Sequence, residues 1–213
     1  SEIAALCHAM LAAELTPDFI TVDGAEGGTG AAPSEFQDSR GRPMRDGLQV
    51  VHSLLVGCGL RDQVRLICSG KVYNGFSLVS NLAHGADFCN SARSMMFALG
   101  CIQSLKCNTN KCPTGVTTND PVLMRGLDVP SKAERVFNFH EATVASGLEI
   151  LAALGVRQVS EVTPGMLYRR VGDHAFESLA EAQRRSSVPT LEAGVLLGLG
   201  RSDGDERAGA VPP

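Results

Sequence analysis

The sequence predicts an α/β fold built on a parallel sheet. Two observations point there: β-branched or aromatic runs alternate with helical runs at a spacing of about 30 residues, and Gly-, Ser- and Asn-rich loops follow the strand ends. In chain order, apolar residues Ile3, Leu6, Cys7, Met10, Leu11 and Leu15 recur at helical spacing over 2–15, and Pro17 ends that helix. Residues 18–23 (DFITVD) read as a buried strand, and 24–33 (GAEGGTGAAP) as a loop too Gly-rich for any regular element. A helix over 46–58, stopped by Gly59, carries Leu48, Val51, Leu54 and Leu55 on one face. The pattern then repeats: strand 64–68, turn 69–71, helix 75–83 closed by Gly85, strand 86–90 and helix 91–99. Strand, loop and helix in that order require right-handed crossovers, with chemistry expected at the C-terminal strand ends. A long helix follows over 131–154, a short one after Pro164, and 201–213 reads as a mobile tail.

Composition narrows the function classes. The 213 residues hold 19 Lys and Arg against 23 Asp and Glu, a net charge of −4 with no like-charge block, so neither nucleic acid nor an anionic membrane is an expected partner. Hydrophobic residues make up 44%, enough for a core, and no apolar run approaches the roughly 18 residues of a membrane span. Ser1 in place of Met suggests a processed or truncated product, and no leader-like segment starts the chain, so a cytoplasmic location is expected.

Seven cysteines in such a chain argue for metal or redox use rather than a disulfide framework. Cys101-x5-Cys107-x4-Cys112-Pro113 is the sharpest motif, because a turn-rich loop lets three thiols point at one inorganic centre. Three thiolates suit a 3Fe-4S cluster; a Cys3His zinc site with His140 or His84 as a distant fourth ligand is the alternative, as are unligated thiols. Ser69-Gly70-Lys71 and Asn90-Ser91-Ala92-Arg93 follow consecutive strands and are candidate anion cradles, each also explicable as an ordinary βα turn. Cys7, Cys58, Cys68 and Cys89 read as small buried hydrophobes.

The segments DFITVDGAEGGTGAAP, VRLICSGKVYNGF, GADFCNSARSMMFALGC and C-x5-C-x4-CPTGV together resemble the C-terminal part of the FMN-binding domain of glutamate synthase. The resemblance covers about 1–156 and implies the last three strands of a (β/α)8 barrel, followed by a C-terminal helical extension over 157–200. It implies FMN at the barrel mouth, with Gly70, Lys71, Ser91, Ala92 and Arg93 around its phosphate and Gly27, Gly28, Thr29 and Gly30 over its substrate side. Cys101, Cys107 and Cys112 within the loop 101–119 become ligands of a 3Fe-4S cluster. The implied reaction is hydride delivery from reduced FMN to 2-iminoglutarate, formed from 2-oxoglutarate and ammonia. Ferredoxin or an NAD(P)H-dependent subunit would supply electrons, since no G-x-G-x-x-G turn is present. An upstream half barrel or partner chain would complete the sheet. A non-catalytic electron-relay subunit and a zinc-stabilised α/β domain are the alternative functions.

Overall fold

The computed structural model describes residues 2–24 and 41–185. The expected flavin-side loop Gly27, Gly28, Thr29 and Gly30 and the tail over 201–213 lie outside the described residues.

The first half is a helix, then three strands each separated by a helix: α1 (Glu2–Ala13), β1 (Phe19–Asp23), α2 (Met44–Gly57), β2 (Arg65–Ser69), α3 (Gly75–Ala83) and β3 (Phe88–Asn90). The strands form one parallel sheet in the order β1-β2-β3, with Phe19 opposite Arg65, Asp23 opposite Ser69 and Ser69 opposite Asn90. Alternation sorts the residues by face. Val22, Leu66 and Cys68 are buried against the helices, where Leu48, Val51, Leu54 and Leu55 of α2 meet them in one core. On the other face Phe19 and Phe88 are 55% and 59% exposed, and no described element covers them. Parallel sheets are ordinarily covered on both faces, so the exposure of this face among the described residues sets the sheet apart.

Local chemistry sets the boundaries. Asn74 caps α3: its Oδ1 accepts the Ser77 N–H at 2.8 Å, and Ser77 Oγ accepts the Asn74 N–H at 3.0 Å. Gly59 and Gly85, at φ +69° and +103°, turn the chain out of α2 and α3. The strand expected from residue 86 begins at Phe88, because the Asp87 carboxylate takes the Leu66 N–H at 2.7 Å that a ladder partner would otherwise hold.

Beyond β3 come α4 (Arg93–Leu99) and α5 (Val129–Ala153), and α5 packs on both α3 and α4. Asp128 caps α5, its carboxylate accepting the Ser131 N–H at 3.1 Å. Gly75 of α3 lies so close to Gly147 of α5 that a Cβ at Gly75 would stand 2.4 Å from the Gly147 nitrogen.

The expected helical extension needs correction within its described part. Pro164–Met166 is a single 3-10 turn, followed by the antiparallel hairpin β4 (Tyr168–Arg170) and β5 (Phe176–Ser178), and only then by α6 (Leu179–Arg185). Cross-strand chemistry holds the hairpin: Arg169 Nε meets Glu177 Oε1 at 2.6 Å, Arg185 pairs with the same carboxylate, and the Arg170 guanidinium stacks 5.2 Å from the Phe176 ring centre. No described helix is long and apolar enough to cross a membrane.

Candidate cofactor-binding rim and cysteine loop

The in-register strand ends bring three loops to one rim. Gly24 leaves β1, Gly70 and Lys71 leave β2, and Ser91, Ala92 and Arg93 leave β3. A Cβ at Gly24 would overlap Met44 at 2.5 Å, so this turn is pressed against the start of α2 and needs glycine for space.

The next two loops are joined. Val72 follows Lys71 and is buried, and its carbonyl accepts two hydroxyls, Ser91 Oγ at 2.8 Å and Ser94 Oγ at 2.7 Å. Gly70 adopts φ +118° and Lys71 φ +55°. A left-handed Lys costs about 1–2 kcal/mol, a strain that persists where the surroundings over-determine it and that clusters at functional sites. The Ser91 hydroxyl is thus committed to the staple. That is also why α4 starts at Arg93 rather than Ser91. Ala92 occupies the N-cap position and supplies no side-chain acceptor to the first turn of α4. The structure therefore brings together Gly70, Lys71, Ser91, Ala92 and Arg93, all expected from sequence. Ser94 is the addition; its S-x-x-S spacing from Ser91 was its only signal in the sequence.

The cysteine loop starts where Gly100, at φ +103°, ends α4. Gln103, Leu105 and Asn110 all take positive φ, at +53°, +55° and +61°. Asn110 is clasped from downstream: Thr118 Oγ1 donates to its carbonyl at 2.6 Å, and its Oδ1 accepts the Asn119 N–H at 2.6 Å. Cys112 is buried, and its Sγ lies 3.4 Å from the Thr114 hydroxyl. Hydrogen bonding from Thr114, reinforced by Thr117 and opposed by burial, brings its thiol down to about 6, so it is a thiolate at neutral pH.

A thiolate is the right donor for iron or zinc, but a centre needs several donors at one point. Among the described residues no three His, Cys, Asp or Glu side chains form a group able to hold a metal ion. Cys101, Cys107 and Cys112 are therefore not gathered, and neither His84 nor His140 joins them as the zinc alternative required.

Comparison with known proteins gives the context. Residues 1–157 match the family model described as a conserved region in glutamate synthase. The glutamate synthase large subunit-like protein YerD of Bacillus subtilis is 46% identical over 140 residues, 66% of this chain and 27% of that protein. An archaeal-type glutamate synthase [NADPH] of Dehalococcoides mccartyi is 33% identical over 153 residues, 72% of this chain and 31% of its own length. The large chain of glutamate synthase [NADPH] from Azospirillum brasilense is 35% identical over 151 residues, 70% of this chain and 10% of its own. The chain thus spans less than a third of each of these relatives.

Proposed function

Because the chain belongs to the glutamate synthase family, we propose that it forms the phosphate-holding sector of an FMN site in a glutamate-synthase-type oxidoreductase. The observation that carries this reading is the stapled pair of loops at the ends of β2 and β3, which sets the Gly70 turn beside the uncapped start of α4. Gly70 lets the backbone approach a phosphate closely. Lys71 and Arg93 supply positive charge against a dianion. Ser91 and Ser94 fix the Val72 carbonyl and so hold the two loops at constant separation. The uncapped first turn of α4 leaves room for an external anion in place of a side-chain cap.

In the same proposal Gly27, Gly28, Thr29 and Gly30 lie along the substrate side of the flavin. FMN held there would supply hydride for 2-iminoglutarate formed from 2-oxoglutarate and ammonia, with electrons from ferredoxin or an NAD(P)H-dependent subunit. The bare face of the sheet supports a (β/α)8 barrel completed by an upstream half barrel or partner chain, since three strands cannot close alone. Phe19, Ile67 and Phe88 would then point into the barrel. Cys101, Cys107 and Cys112, which form no three-donor group by themselves, would close on a 3Fe-4S cluster as it binds.

Two variants test the reading. Gly70→Val, which adds a branched side chain at φ +118°, should cut FMN retained by the intact protein at least tenfold while its circular dichroism is unchanged; undiminished FMN would reject the phosphate assignment. Cys107→Ser should reduce bound iron and sulfide to background, and iron equal to the parent protein would remove Cys107 from the ligand set.

A further inference from the structure

We propose that Cys68 and Cys89 form a two-electron redox dithiol that closes to a disulfide across β2 and β3 when a hydroperoxide reaches the sheet. The two residues are direct partners in the parallel register, and their sulfurs lie 3.3 Å apart. Neighbouring strands run about 4.8 Å apart, inside the Cα separation of about 4.4–6.8 Å that a disulfide spans. Bond formation needs the sulfurs to approach by only about 1.3 Å, to the usual 2.05 Å.

Besides the apolar core on which it packs, Cys68 meets polar groups. Asn81 is fully buried, its Oδ1 accepts Arg45 Nε at 3.2 Å, and its Nδ2 has no hydrogen-bond partner among the described residues. An unpaired buried amide is costly unless something nearby can accept from it. A Cys68 thiolate can: the Cys89 thiol, then the Asn81 amide and the Arg45 guanidinium, hold Cys68 below the ordinary thiol range against burial, while the same contact and burial push Cys89 up. The contact thus makes Cys68 the sulfur that gives up its proton more readily and Cys89 the one that keeps it.

Exposure assigns the roles. Cys68 is fully buried and Cys89 is half-buried, so Cys89 meets the oxidant and Cys68 resolves. The Cys89 sulfur attacks the distal peroxide oxygen as its proton passes to Cys68: an S–O bond forms, the S–H and O–O bonds break, and the departing alkoxide or hydroxide takes a proton from water. Cys68 next attacks the Cys89 sulfenic acid; the S–S bond forms, the S–O bond breaks, and hydroxide leaves as water with the Cys68 proton. Two thiols and one hydroperoxide give one disulfide, one alcohol or water, and one further water. Each cysteine is two residues before a rim loop, at Gly70 and Ser91, so the link would tie the rim to the redox state of its strands.

The purified full chain decides the matter without a variant. After equimolar hydrogen peroxide, alkylation and tryptic digestion without reductant, peptides 66–71 and 72–93 should appear as one linked species two hydrogens lighter than their sum, separating on reduction with dithiothreitol. In Cys68→Ser, Cys89 should accumulate as a sulfenic acid that dimedone labels at least fivefold more than in the parent. Absence of the linked species, or equal dimedone labelling of Cys89 in both proteins, overturns the proposal.

Discussion

Arg61 shows how single side chains tie the ends of elements together. Its Nε donates to His52 Nδ1 at 3.1 Å, its Nη1 to the Val64 carbonyl at 3.1 Å, and its Nη2 to the Gly85 carbonyl at 2.9 Å while pairing with Asp87 Oδ2 at 2.9 Å. His52 must keep Nδ1 unprotonated to accept from a guanidinium, and burial followed by the Arg61 charge lowers its pKa below the ordinary 6.5. His84 is also lowered, chiefly by burial, although its contact with the Ser80 carbonyl works the other way. Both folded-state values are depressed, so the unfolded chain takes up protons first. The stabilisation is present above about pH 6.5 and is lost as the pH falls through the folded values. The melting temperature should drop between pH 7 and pH 5, and His52→Gln, which keeps an acceptor but cannot charge, should shrink that drop. An unchanged drop in the variant would show that His52 plays no part in the acid sensitivity.

At the scale of elements, the contact of α3 with α5 depends on two glycines. A Cβ at Gly75 would meet backbone atoms of Ser146 and Gly147 at 2.4–2.5 Å, and backbone cannot swing aside as a flexible side chain can. Gly75→Ala should therefore cost about 1–3 kcal/mol, read as a lower urea midpoint; a midpoint equal to the parent would contradict this close crossing. Much of the element pattern was legible in the sequence, because period-3.6 and β-branched runs mark α1 to α5 and β1 to β3 directly. Boundaries moved where a side chain captured a backbone group, as Asp87 does before β3 and Ser91 before α4. The hairpin of β4 and β5 was not legible: its strands are three residues long, too short for a period, and Arg169 meets Glu177 only through the fold. The residues of the rim loops were legible one by one, whereas the staple through Val72 and the contact of Cys68 with Cys89 depend on strand register, which no local pattern encodes.

At the scale of the whole molecule, a three-stranded parallel sheet, exposed on one face among the described residues, lies in a chain whose match covers less than a third of the length of its relatives. Its uncovered Phe19 and Phe88 and its open edges at β1 and β3 fit a sector whose remaining walls come from elsewhere, while the loop rim is already assembled within this sector. A rim that grips a flavin phosphate must be ordered by FMN. Hydrogen–deuterium exchange on the intact protein, with and without FMN, tests it most directly. The account predicts that FMN slows exchange in segments 69–72 and 90–94 by at least tenfold; flavin binding that leaves both segments exchanging as before would contradict it.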